Sequence, residues 1–170
     1  PAEPVPEGTT QLQHFLSGYR RDHPRIDNPL PMIITPTNLV ESSMQSVGAL
    51  SAERLRISTL RVTFVSAEGE EQAGIDQGGL RRTWIGTLAP QMAQTGTMLG
   101  LLSSTEEGQL FIHPLADLMP EAEAYFTLLG RVIGLSITNA NDAMLFPVGL
   151  AAPMYSLLLG RPLRTADHDL

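Results

Sequence analysis

The chain contains no cysteine and no lysine. Without cysteine it forms no disulfide, offers no thiolate nucleophile and holds no sulfur-ligated metal. Its eleven basic residues are all arginine, set against eighteen acidic ones for a net charge of -7, and they are scattered rather than gathered into a stripe. No nucleic-acid partner is expected of such a surface. Gly, Thr, Asn or Pro interrupts every apolar run well short of the roughly 20 residues that span a bilayer, so no membrane segment is expected either. The histidines His14, His23, His113 and His168 stand far apart, and none sits in a His-Glu-x-x-His pattern. Neither a Gly-x-Ser-x-Gly elbow nor a Gly-x-x-x-x-Gly-Lys loop occurs. The run Glu68-Gly69-Glu70-Glu71 lacks the alternating oxygen ligands of a calcium loop and reads as a solvated turn. These absences leave no catalytic residue, cofactor or metal expected within the chain.

What is present suits one globular core: 170 residues, 42% hydrophobic and 17% charged. Three prolines among the first ten residues mark a linker, and a start on Pro1 rather than methionine reads as a fragment boundary. Leu12, Phe15, Leu16 and Tyr19 recur at helical spacing and predict a short amphipathic helix over 11–28. Residues 1–28 are therefore read as linker and short helix, and 29–170 as the folded remainder. Pro29, Pro31 and Pro36 keep the next stretch extended, with a strand at Met32-Ile33-Ile34. Leu39, Met44, Val47 and Leu50 predict a helix over 37–48, and Ser51 caps a further short one. Arg61-Val62-Thr63-Phe64-Val65 alternates as a strand. Leu80, Trp84, Ile85 and Leu88 give the stripe of a helix over about 80–93. Segments 98–102 and 109–113 flank a polar turn as a hairpin. Helices over 121–139 and 150–159 follow, the second stopped by Gly160 and Pro162. The sum is α+β, a helix-dominated scaffold with a few short strands and one β-hairpin.

Two glycine-bearing segments stand out. In Gly74-Ile75-Asp76-Gln77-Gly78-Gly79 the glycines predict positive φ or close backbone approach at a corner between strand and helix, and Asp76 is placed to cap the helix that carries Trp84. In Gly130-Arg131-Val132-Ile133-Gly134 the glycines share one helical face where a second backbone is expected to approach, because each costs about 1 kcal/mol of helix stability relative to alanine. Arg131, nearly enclosed by apolar neighbours, needs a carboxylate or carbonyl partner if buried, and a structural ion pair is favoured over a substrate contact.

Taken in order, these segments resemble the HECT family of ubiquitin ligases. The run from Leu60 through Gly74, Asp76, Gly78 and Gly79 to Trp84 looks like the family's strand, glycine corner and helix. Leu110-Phe111 with Pro114, then Tyr125-Phe126 with Gly130, Arg131 and Gly134, and finally Pro153 and Tyr155 through Leu163 are similar to its later motifs. The likeness extends from about Met32 to Leu163. Thr83 stands where the family carries glutamate and His113 where it carries asparagine, and the loop Glu68–Ala73 is longer than usual. The missing glutamate removes one plausible partner of Arg131 or a neighbouring arginine.

The resemblance implies the large subdomain of a HECT N-terminal lobe. Such ligases take ubiquitin from a conjugating enzyme onto a cysteine of a C-terminal lobe and pass it to a substrate amine. The docking subdomain and the catalytic lobe lie beyond the part resembled here, so the chain alone is expected to be inactive and its parent to be an E3 ubiquitin transferase. The alternative is a catalytically dead HECT-like interaction module. Implied partners are ubiquitin and a conjugating enzyme through the parent, together with protein substrates, in the cytoplasm or nucleus. Some family members hold a second, non-covalent ubiquitin beside the hairpin. Met98, Leu99, Leu101 and Leu102 are the candidates for that exosite, although strand alternation sends about half of them into the core. Lacking lysine, the chain offers no side-chain amine for ubiquitin, since guanidinium is not the required nucleophile; genomic bias toward arginine is the plainer account of that absence.

Overall fold

Leu30, Met32 and Ile34 are buried, while Pro29, Pro31 and Ile33 between them face solvent. That alternation makes a strand one face of which joins the core. The strand, β1 (Ile26–Ile34), pairs in parallel with β2 (Ser58–Phe64), matching Leu30 with Leu60 and Ile34 with Phe64. β1 thus begins well before the expected Met32. Two prolines are tolerated because, among the described residues, the sheet has only two strands and no strand pairs with the other side of β1. The Ile34 carbonyl accepts from the Val65 amide on the β2 side. Residues of the other parity, including both prolines, therefore direct their backbone groups to the free edge.

The crossover between the strands is α2 (Leu39–Gly48), entered through a 3₁₀ turn at Pro36–Asn38, and then α3 (Ala52–Ile57). α2 covers the free edge with serines. Ser46 donates to the Ile33 carbonyl at 2.9 Å, and Ser42 accepts from the Thr35 amide at 3.2 Å. An edge satisfied in this way offers less to a passing strand. Ser51 caps α3 by accepting from the Arg54 amide, as its sequence position implied.

Beyond the strand pair lie α4 (Gln77–Met98), β3 (Leu102–Ser104), β4 (Leu110–Ile112), α5 (Ala122–Thr138) and α6 (Ala152–Leu158); α1 (Gln11–Asp22) precedes them all. The computed structural model describes residues 10–24, 26–71, 77–138 and 146–161. The molecule is α+β and helix-dominated, as expected. No helix among the described residues is long and apolar enough to cross a membrane.

Three boundaries differ from expectation. α1 stops at Asp22 rather than running to Asn28, because Pro24 and the start of β1 end it. α4 runs on past Ala93 to Met98, where Gly100 (φ 68°) closes it: the Leu101 amide reaches the Gly96 carbonyl and the Gly100 amide that of Thr97. Hence Met98 is helical, and the hairpin begins only at Leu102, paired antiparallel with Ile112. Pro90 sits inside α4 on its exposed side, where water can satisfy the helical carbonyl that loses its partner. The expected stop at Gly160 does occur, with φ 64° and the same paired capping bonds.

The core gathers the buried faces of β1 and β2, α2, α4 and α5 around Trp84, Tyr125, Met32, Ile34, Leu88 and Met92. Each large apolar side chain fully withdrawn from water contributes roughly 1.5–3 kcal/mol. Tyr125 on α5 donates to the Met92 carbonyl on α4 at 2.6 Å, and burial raises its phenol above the ordinary range, so the hydroxyl stays a donor. Gly96 permits the approach. A Cβ there would run into the Tyr125 hydroxyl and stand 2.8 Å from Leu102 Cδ1. We expect Gly96→Ala to lose about 2 kcal/mol despite its better helix propensity, seen as a melting midpoint lower by roughly 4–8 °C. An unchanged midpoint would show that Tyr125 yields freely.

Candidate functional site

Gly74 and Asp76 lie outside the described residues, so the expected corner and its aspartate cap are described only from Gln77 onward. Gly78 and Gly79 belong to the first turn of α4 rather than to a turn before it. The helix that follows brings Trp84 to the centre of the molecule, wholly buried, with Nε1 donating to Ser43 Oγ at 2.9 Å. Ser43 is itself fully buried, so each group satisfies the other.

Among the described residues Arg131 takes carbonyls, one of the two partner types expected, rather than the favoured ion pair. Its Nη1 donates to the Val47 carbonyl at 2.8 Å and to the Gly48 carbonyl at 2.6 Å. Both belong to the last turn of α2, where the helix dipole places negative charge and carbonyls lack intrahelical partners. The half-buried guanidinium is thus a cap contributed by another helix, and the absence of the family glutamate at Thr83 leaves it partnered. Arg81 is the arginine left short: its Nη1 is buried without a hydrogen-bond partner among the described residues.

Among the described residues no second backbone reaches the glycines flanking Arg131. A Cβ at Gly130 or Gly134 would meet nothing within 4 Å. They open onto a mainly apolar groove of about 230 Å³ between α5, α3 and α1, lined also by Tyr19, Leu55 and Arg56. Expected close packing is therefore replaced by an open face.

The four exosite candidates separate into two pairs. Leu101 and Leu102 are buried and hold the hairpin to the core, which leaves no surface for a ligand. Met98 and Leu99, at the end of α4, are 79% and 42% exposed. The 3₁₀ turn Ala116–Leu118 stands at the same end, and two of its neighbourhood's residues, Leu115 and Leu118, are exposed apolar groups that sequence reasoning missed. A local signal was available: apolar residues in a Pro-Leu-Ala-Asp-Leu turn have no regular face to bury. His113 fastens this turn. Its amide donates to the Leu101 carbonyl, and its Nδ1 accepts from the Leu115 amide at 3.1 Å. An asparagine oxygen performs the second task in the usual turn chemistry, so His113 preserves the local geometry.

Among the described residues no group of three or more histidines and carboxylates is gathered as a metal site. Among the described residues the geometry offers packing, capping and an exposed apolar end.

No family model matches the chain. It is similar across most of its length to E3 ubiquitin-protein ligases. One, from Neurospora crassa and described as TOM1-like, is 25% identical over 141 residues, covering 83% of this chain and 3% of that protein. Smurf1 of Drosophila melanogaster is 25% identical over 179 residues, covering 97% of this chain and 16% of that protein. Nedd-4 of the same fly is 25% identical over 169 residues, covering 99% and 16% respectively. The chain therefore spans between 3% and 16% of the length of these relatives.

Because Gly130 and Gly134 are helical and open, alanine at either should stabilise α5 by up to about 1 kcal/mol, raising the melting midpoint by roughly 2–4 °C. A lower midpoint would mean that another backbone does reach this face.

Proposed function

We propose that this chain is a scaffold segment of a HECT-type E3 ubiquitin ligase, corresponding to the large subdomain of the ligase's N-terminal lobe. The observation that carries the reading is similarity to three E3 ligases over 83% to 99% of the chain. The structural roles of the HECT-like residues support it: Trp84, Tyr125 and Arg131 join α4, α5 and α2, and Gly160 ends α6. In this reading the parent works in the cytoplasm or nucleus with ubiquitin, a conjugating enzyme and protein substrates, and its catalytic cysteine lies outside this segment.

The chemistry needs a thiolate that accepts ubiquitin from the conjugating enzyme and then yields it to an amine. The segment has no thiol, so its contribution is to hold other parts in place. With activating enzyme, conjugating enzymes, ATP and ubiquitin, the isolated chain should form no dithiothreitol-sensitive adduct, whereas the parent should form one. A parent that takes up no ubiquitin in this assay would overturn the ligase reading in favour of an inert interaction module.

A second ubiquitin contact is proposed at Met98 and Leu99, narrowed from the four residues first considered. So small a patch should bind weakly, with a Kd of tens to hundreds of micromolar. Titrating labelled ubiquitin with the chain should give saturable amide shifts that vanish for a folded Leu99→Asp variant. Shifts that survive that substitution would remove these two residues from the contact.

A further inference from the structure

Between Arg82 and Arg131 the sequence carries no basic residue except His113, yet it carries Glu106, Glu107, Asp117, Glu121 and Glu123. These carboxylates lie on the hairpin turn, in the 3₁₀ turn and at the start of α5. Asp117, Glu121 and Glu123 are exposed, and none of them pairs with a cation among the described residues. Asp117 and Glu123 stand on the rim of a groove of about 550 Å³ whose floor includes Ile112, Met119 and Phe126. Those three floor side chains pack on the core yet remain half-buried, so they still present apolar surface to water. A volume of this size accommodates one or two side chains of a ligand.

We propose that this groove docks a short cationic segment of a partner protein, with an aliphatic or aromatic side chain on the Ile112–Met119–Phe126 floor and a neighbouring Lys or Arg against Asp117 and Glu123. An apolar floor alone would not identify its occupant; the unpaired carboxylates on its rim select for positive charge. They also repel phosphate, which disfavours nucleic acids and anionic lipid surfaces. Leu115 and Leu118, which adjoin the groove-lining Ala116 and Asp117 in sequence, are exposed apolar groups. The site differs from the Met98–Leu99 contact and requires no ubiquitin transfer, so it stands or falls independently of the ligase reading.

The test is fluorescence polarisation with a labelled synthetic peptide in which leucine and phenylalanine alternate with lysine and arginine. Two controls accompany it, one with glutamate at every basic position and one with glycine at every apolar position. The basic apolar peptide should bind the chain with a Kd on the order of 10–100 µM and weaken as salt rises, while both controls bind at least about tenfold more weakly. Neutralising the rim with Asp117→Asn and Glu123→Gln together should weaken binding at least about fivefold; both side chains are exposed, so the melting midpoint should hold. Chemical shifts from the peptide should centre on Ile112, Met119 and Phe126. Equal binding of the acidic control, indifference to the double substitution, or shifts centred on the Gly130–Gly134 groove would each overturn the proposal. So would displacement of the peptide by ubiquitin, or a dimer of the chain abolished by the same substitutions, because either would assign the groove to a different occupant.

Discussion

The Trp84 indole lies wholly buried, and its nitrogen is satisfied by Ser43, 2.9 Å away on α2. Breaking one side of such a pair strands the other in an apolar interior, at about 1–3 kcal/mol, so the contact fixes how α4 crosses α2. Much of the remaining architecture converges on the same helix. Ser42 and Ser46 of α2 satisfy backbone groups at the end and along the free edge of β1, and the carbonyls ending α2 take Arg131 from α5. A ten-residue helix thereby holds a sheet and two longer helices through polar groups as well as through Leu39 and Val47. Those polar bonds are directional, which specifies one arrangement where apolar contact alone would allow several.

That organisation explains which parts of the fold were legible in the sequence. Apolar periodicity revealed α2 and α4, because each buries a continuous stripe. Capping chemistry revealed the start of α3 at Ser51 and the end of α6 at Gly160. β1 was seen only at its C-terminal end, because prolines at 29 and 31 ordinarily demote a strand. Their tolerance depended on an unpaired edge that no local pattern announces. The end of α4 was misplaced for a similar reason. Met98, Leu99, Leu101 and Leu102 form one apolar run, and only the left-handed Gly100 separates helix from hairpin. The Schellman bonds around that glycine turn the first pair of side chains outward and the second pair into the core.

The candidate site was harder to read than the fold. Arg131 was recognised as needing a carboxylate or carbonyl partner, and the ion pair was favoured because charged side chains are what sequence displays. A helix C-terminus offers the same negative potential from backbone carbonyls that leave no trace in composition. The exposed Leu115 and Leu118 were missed because irregular turns have no period against which an outward apolar residue can be noticed. His113 was readable as a departure from the HECT pattern, yet only the geometry shows it accepting the Leu115 amide.

Glycine inside a helix carries two opposite meanings here, and the difference lies entirely in what stands across from it. Gly96 is enclosed: its missing Cβ makes room for the Tyr125 hydroxyl, and the Tyr125–Met92 bond joins α5 to α4. Gly130 and Gly134 face open space, so α5 bears their unfavourable propensity with no packing return within the described chain. That helix is held instead by its opposite side, where Tyr125, Leu128, Leu129, Val132 and Ile133 are buried. The local sequence pattern, small residues four apart among apolar ones, predicted close packing at Gly130 and Gly134 and was silent about Gly96. Helical periodicity identifies a face, but only the neighbouring element decides whether that face is filled.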